Sequence, residues 1–320
     1  MILEFFGISF KYISEIDPRD LLITGKNYLL HLFKTLYQEI SGEWSPTTVG
    51  IEITYYCNRR CKGCYIENNI KKDREVMSAE NLETIVLKLQ KNGILFTGIV
   101  GGDPMQDFTI PTLKKVIQKY PFNSFFIYVN PDYLVKYGLS ELSNLHNLTY
   151  CVSVDGMQKN HEKIRGKGSF QKLMRSFDIL RKARKVYSAS VTIRKETLNE
   201  LTSREFIELM LEKGVKYILF MKFKSEDETN LSEEEYFQAI KRIKENSRGL
   251  PIVIIYGGIK DGISLSPFFN YKELFIDIEG NFRVAKINTN ENLGNLFNSK
   301  TDLKKILDEY SKKLRGFSFF

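Results

Sequence analysis

The chain has 320 residues, 42% of them hydrophobic and 27% charged, and carries a net charge of +8. Those proportions exclude a disordered chain, a collagen and a disulfide-dense miniprotein, and the length admits one large core with appendages. No apolar run reaches the roughly 18 residues of a membrane span, and the lysines are spread over nearly every predicted helix instead of forming a patch with aromatic platforms, so neither membrane nor nucleic acid is the expected partner.

The opening stretch, Met1 to Phe10, is apolar but lacks a basic leader and a small-residue cleavage site, which makes the cytoplasm the expected location. Next, Leu29, Leu32, Phe33, Leu36, Tyr37 and Ile40 recur at helical spacing and predict an amphipathic helix over Lys26 to Ile40, with an apolar stripe that should lie on something. From there strand-like and helix-like segments alternate. Strands are expected at Val49 to Thr54, Leu95 to Val100, Ser124 to Val129, Leu148 to Val154, Ser188 to Ile193 and Tyr217 to Lys222. Helices are expected at Ser78 to Lys91, Ile110 to Lys119, Asp132 to Leu142, Ser169 to Arg184, Ser203 to Lys213 and Glu233 to Asn246. Six such units imply a parallel sheet with right-handed crossovers, open or curled into a barrel, and a site at the carboxyl ends of its strands. Beyond residue 250 the rhythm changes to Ile252 to Tyr256, a hairpin of Leu274 to Ile278 and Phe282 to Ala285, and a closing helix from Asp302 to Tyr310.

Residues 57 to 64 read CNRRCKGC, which places Cys57, Cys61 and Cys64 in one loop directly after the first strand. Three thiolates on a short loop suit a cubane iron–sulfur cluster whose fourth iron takes a ligand from outside the protein. A structural zinc is the alternative, but it needs four protein ligands, and His31, His146 and His161 are all distant in sequence. The remaining thiol, Cys151, lies on the fourth strand with the same side-chain parity as Ser153, where it is a packing residue or, as the second reading, a hydrogen-atom donor.

The CxxxCxxC spacing after a first strand resembles the signature of the radical S-adenosylmethionine (radical SAM) enzymes. Residues 101 to 104, GGDP, resemble that family's GGEP segment, with Asp103 in place of Glu, and residues 153 to 170, SVDGMQKNHEKIRGKGSF, resemble the SxDG segment of its SPASM and twitch branch, many members of which are peptide maturases. The resemblance covers about residues 47 to 225 and implies an α/β fold, a partial (β/α)6 TIM-type barrel over 48–225. A helical leader (1–47) precedes it and a small α+β SPASM/twitch-like region (226–320) follows. It further implies a [4Fe-4S] cluster on Cys57, Cys61 and Cys64, and S-adenosylmethionine bound by Tyr65, Gly101, Gly102, Asp103, Pro104, Asn130, Ser153 and Arg165. The activity implied is reductive cleavage of S-adenosylmethionine to a 5′-deoxyadenosyl radical that takes hydrogen from a substrate, with a flavodoxin or ferredoxin as electron donor. A peptide is the expected substrate; a small-molecule metabolite and a non-catalytic zinc-binding scaffold are the alternatives. The hairpin region resembles a SPASM or twitch domain but holds no cysteine, so no auxiliary cluster is expected there.

Overall fold

Six segments read as strands from the sequence become parallel strands: β1 (Thr48–Glu52), β2 (Phe96–Val100), β3 (Ser124–Val129), β4 (Leu148–Val154), β5 (Tyr187–Ile193) and β6 (Tyr217–Lys222). The computed structural model describes residues 15–41, 46, 48–139, 141–223, 230–256, 259–260, 263–264, 274–286 and 289–315. A seventh strand, β7 (Val253–Tyr256), continues the parallel series by pairing with β6, so the sheet runs past residue 225 into the stretch read from sequence as the change of rhythm.

Helices α1 (Pro18–Ser41), α2 (Ala79–Lys91), α3 (Ile110–Lys119), α4 (Asp132–Tyr137), α5 (Gln158–Arg165), α6 (Ser169–Lys182), α7 (Leu198–Leu201), α8 (Arg204–Glu212) and α9 (Glu233–Asn246) precede or separate these strands. Their apolar stripes face the sheet: Leu82, Ile85, Val86 and Leu89 of α2 and Ile110, Leu113, Val116 and Ile117 of α3 are all buried, at the spacing a helix needs to present one face. Serines fix several starts. Ser78 and Ser203 accept the Asn81 and Phe206 N–H groups, and Ser232 forms a reciprocal capping box with Glu235.

Three further strands complete the sheet. β10 (Leu274–Ile276), which follows the small β8 (Ile259–Lys260) and β9 (Ile263–Ser264) pair, runs parallel to β1 with Gly50 opposite Phe275. β11 (Asn281–Lys286) and β12 (Thr289–Asn295) then add antiparallel neighbours, giving ten strands in the order β12-β11-β10-β1-β2-β3-β4-β5-β6-β7, and α10 (Leu303–Arg315) closes the chain's described part. This is an α/β fold built on a mostly parallel sheet, with the small antiparallel group at its C-terminal end.

One sequence expectation is corrected: helix α1 begins at Pro18, eight residues earlier than the periodicity indicated. Of its apolar stripe, Leu29, Phe33, Tyr37 and Ile40 are exposed. Polar groups help to dock the helix. Asn27 donates to Ser124 Oγ at 2.7 Å, Lys34 donates to the Pro46 and Gly93 carbonyls, and buried Asp20 meets Lys185 and His146 Nδ1. His161 and Arg165 lie on α5, an eight-residue helix that buries only His161 and Ile164.

Candidate active site

Alternation along β1 turns Val49, Ile51 and Ile53 toward the helices and leaves Gly50, Glu52 and Thr54 on the opposite, interior face. On that same face the register aligns Gly98, Phe126, Thr149 and, on neighbouring pairs, Tyr128, Cys151, Ser188 and Tyr217, with Ser153 opposite Ser190 one step nearer the carboxyl ends. Cys151 thus shares the interior with Ser153. It is buried against the Ser188 and Tyr217 hydroxyls, and burial pushes its thiol up to about 12.

The cysteine loop leaves β1 and is anchored on both sides. Lys62 N–H donates to Ile164 O of α5 at 3.1 Å, and Arg194 donates to Lys62 O at 2.9 Å while its guanidinium lies 3.7 Å over the Phe223 ring. Gly63, with φ +64°, is required here, since a Cβ would stand 2.7 Å from that ring. Cys57, Cys61 and Cys64 are each half-buried; Cys57 Sγ accepts the Arg59 N–H at 3.4 Å, and burial pushes its thiol up to about 12 and raises that of Cys64. Such thiols ionise when a metal replaces their protons.

Among the described residues, the one set of three or more metal-type side chains whose ligand atoms all lie within 4.8 Å is Asp17, Asp20 and His146, already engaged by Arg19 and Lys185. At least one pair of the three cysteine sulfurs therefore stands more than 4.8 Å apart. Two thiolates on one zinc, with bonds near 2.3 Å, sit no more than about 4.6 Å apart, whereas a polynuclear iron–sulfur group takes its thiolates on separate irons, which suits this donor set better.

The GGDP segment zips onto the chain that leads into this loop. Gly102 and Asp103 N–H groups donate to Thr54 O and Tyr56 O at 2.7 and 2.8 Å. A Cβ on Gly101 would lie 2.2 Å from Thr54 O and one on Gly102 2.1 Å from Tyr56 O. Tyr65 Oη donates to Gly101 O at 3.0 Å, which ties the residue after Cys64 to the same segment, although the residue as a whole is 65% exposed. Asp103 points inward. Burial raises its pKa to about 7, and it accepts bonds from Met105 N, Gln106 Nε2 and Asn130 Nδ2, the last at 2.6 Å. Asn130 in turn accepts the Asp132 N–H at the start of α4, and Pro104 O accepts the Thr109 hydroxyl. These two residues brace the ends of β2 and β3 against each other. We expect Gly102→Ala to cost on the order of 2 kcal/mol, because overpacked backbone must move, and to lower iron loading below that of the wild-type chain. Iron assay and thermal melting of the reconstituted variant check this.

At the end of β4, Asp155 and Arg165 form a buried pair, Nε to Oδ2 at 2.5 Å. Burial opposes the charge on Arg165, but Asp155, Cys61 and Cys64 beside it hold its pKa above the usual guanidinium value. His161 Nδ1 accepts the Asp155 N–H at 3.2 Å; burial, with Arg165 nearby, depresses its pKa to about 3, so the ring is neutral with its proton on Nε2. Glu200 receives Met157 N–H and Asn160 Nδ2 and so caps α5. Arg59 spans Asp132 (2.6 and 2.8 Å) and Arg165 O, closing the ring around the cysteine loop. Sequence reasoning missed Arg59, Asp155, Arg194, Glu200 and Phe223. Asp155 had one signal, its place in the SVDG segment; the others act through partners far along the chain.

The structure thus gathers the three cysteines, Tyr65, Gly101 and Arg165 into one neighbourhood, with Ser153 at the nearby strand end and Asp103 and Asn130 behind it. The family model of the radical SAM superfamily matches residues 51–207. Those residues form a radical SAM domain. Enzymes of this superfamily use a [4Fe-4S] cluster and S-adenosylmethionine, and the spread of the three sulfurs fits the cluster. The sporulation killing factor maturation protein SkfB of Bacillus subtilis is 26% identical over 160 residues, 49% of this chain and 38% of that protein. The mycofactocin maturase MftC of Mycolicibacterium smegmatis is 26% identical over 146 residues, 43% of this chain and 35% of its own length. The match therefore spans less than half of either relative. Among solved structures, SuiB of Streptococcus suis bound to its precursor peptide SuiA superposes with a TM-score of 0.64 at 15% identity, over 85% of this chain and 67% of that one. The anSMEcpe structure with bound AdoMet and Cp18Cys peptide gives 0.63 at 17% identity, over 84% and 82%. Both likenesses concern the fold of the radical SAM domain and the strands that follow it. No described helix is long and apolar enough to cross a membrane.

Proposed function

We propose that this radical SAM enzyme modifies a peptide, cleaving S-adenosylmethionine reductively and taking a hydrogen atom from a residue of the substrate. The observation that carries the reading is the joining of the CxxxCxxC loop to the GGDP segment through Tyr65–Gly101 and to the SVDG segment through Lys62 N–H to Ile164 O and Arg59 to Arg165 O. Cys57, Cys61 and Cys64 hold the cluster; with S-adenosylmethionine bound it supplies a 5′-deoxyadenosyl radical. Arg165, charged and pre-oriented by Asp155, meets the cofactor's carboxylate with a planar donor pair. Gly101 and Gly102 offer backbone at the end of β2, and Ser153 a hydroxyl at the end of β4. Tyr65, Pro104, Asp103 and Asn130 hold these loops in place, and the buried Asp103 and Asn130 help to keep water from the strand ends.

The peptide substrate rests on the relatives, which are maturation enzymes by name, and on the solved neighbours, which carry peptides. A small metabolite remains the second substrate reading, since the interior face offers the polar groups of Ser153, Ser190 and Tyr128 to either class. The zinc scaffold is disfavoured by the sulfur spread. A reducing cytoplasm suits four free cysteines, three of them cluster ligands. Anaerobic reconstitution should bring about four irons per chain and 5′-deoxyadenosine on addition of reductant, while the Cys57/Cys61/Cys64 triple alanine variant should retain essentially no iron. A colourless protein holding one zinc would overturn the assignment. Incubation with short peptides encoded beside this gene, read by mass spectrometry, tests the substrate class.

A further inference from the structure

Helix α1 crosses the amino-terminal ends of the strands, the end of the sheet opposite the cysteine loop. At seven-residue spacing Asp20, Asn27 and Lys34 form its docked face: Asp20 meets Lys185 just before β5 and His146 just before β4, Asn27 meets Ser124 at the first position of β3, and Lys34 meets the Gly93 carbonyl ahead of β2. The remaining face is apolar and open. Leu22, Leu29, Leu30, Phe33, Tyr37 and Ile40 are 42 to 86% exposed, and Phe122 of the α3–β3 turn adds a ring of the same kind beside Lys26. Together they leave on the order of 800 Å² of largely apolar surface uncovered, beyond the roughly 300–600 Å² of the largest patch on an ordinary monomer.

The spacing along this open face fits a second helix. Leu22, Leu29, Phe33 and Ile40 follow one another at seven, four and seven residues, the frame of a helix-pairing seam, and Leu30 and Tyr37 widen it on one side. The frame is also symmetric along the chain: Leu22 and Ile40 lie nine residues, and Leu29 and Phe33 two residues, to either side of position 31. An antiparallel copy of the same helix therefore sets Leu22 against Ile40 and Leu29 against Phe33, twice each, and opposes the two helix dipoles. Lys26, which falls in the same frame, is drawn aside over the Phe122 ring at 4.2 Å. We propose that two copies of this chain associate through α1 across a two-fold axis at position 31. The uncovered area matches the roughly 800 Å² that each partner gives to a standard interface. A lipid surface would want a basic rim on such a helix, whereas Arg19 is paired with Asp17 and Lys34 is held by two carbonyls. A peptide substrate lying there could not reach the cysteines at the far end of the strands.

Sedimentation velocity of the iron-loaded full chain should show monomer giving way to dimer as concentration rises through the micromolar range. Phe33→Glu/Ile40→Glu puts four carboxylates into the seam and should weaken association roughly a hundred-fold, while circular dichroism remains that of a folded chain because both side chains are exposed in the single copy. Cross-linking reads the orientation. An equimolar mixture of Leu29→Cys and Phe33→Cys chains, with the cluster loaded so that its own thiols are engaged, should oxidise to a mixed covalent dimer. Leu22→Cys alone should not, since its two copies stand about 27 Å apart along the antiparallel pair. A wild type that stays monomeric to roughly 100 µM overturns the proposal, as does a dimer untouched by the two glutamates or one that links through Leu22→Cys. Pelleting of a monomeric wild type with phosphatidylcholine–phosphatidylglycerol vesicles also overturns it and assigns the face to lipid.

Discussion

No 5′-deoxyadenosine above background is expected from the Cys61→Ala protein, with its fold intact. Three thiolates hold a cluster that leaves one iron open, and loss of any one removes a ligand that no neighbouring side chain replaces: the fourth cysteine, Cys151, is sealed in the interior by Ser188 and Tyr217. The fold should survive because Cys61 sits half-buried on a loop whose own hydrogen bonds, Cys64 N–H to Cys61 O and Lys62 N–H to Ile164 O, come from backbone. Substitutions of that kind usually shift stability by about 0.5 kcal/mol or less. Product analysis by chromatography beside circular dichroism melting separates the two effects, and retained cofactor cleavage would refute the cysteine assignment.

Arg165→Ala carries the second large expectation, and it has two parts. Removing the guanidinium strands Asp155 in a buried position, which costs about 3 kcal/mol of folding free energy, the usual result of breaking one side of a buried ion pair. It also removes the donor proposed for the cofactor's carboxylate, weakening S-adenosylmethionine binding by about one to two decades. Asp155→Asn/Arg165→Ala should regain much of the stability, since no uncompensated charge remains, but none of the affinity. Chemical denaturation gives the first quantity and equilibrium binding the second. If affinity returned along with stability, Arg165 would act only as Asp155's partner.

Much of the scaffold could be read from the chain because buried strands write themselves as short segments rich in apolar, β-branched and aromatic residues. Ser124–Val129, Leu148–Val154 and Tyr217–Lys222 fall where those runs predict, as do the helices Ile110–Lys119 and Glu233–Asn246, each of which buries its apolar stripe. What escaped had no such mark. Helix α5 is almost wholly polar, β12 (TNENLGN) has no apolar alternation, and α4 stops at Tyr137 because Gly138 turns left-handed, well short of the Leu142 that periodicity suggested. In the site, the cysteines were legible because their chemistry needs close spacing in one loop. Arg194 with Phe223, Glu200 with Asn160, and Arg59 with Asp132 were not, since each pair joins residues tens of positions apart and becomes visible only when the strand ends are brought side by side.

The pairing of β10 with β1 has a bearing on the order in which the molecule is made. Glu52, at the root of the cysteine loop, is bonded by Tyr55 and, at 2.7 Å, by Arg283, a residue 231 positions later in the chain. One edge of the first strand therefore stays open throughout synthesis of the parallel series and is sealed only after residues 274–283 have left the ribosome. A nascent chain with that edge free is open to wrong strand pairing and lacks the cation that neutralises Glu52. Stable insertion of iron is accordingly an event for the finished polypeptide, and a message broken before codon 283 should yield chains that aggregate rather than colourless but folded ones.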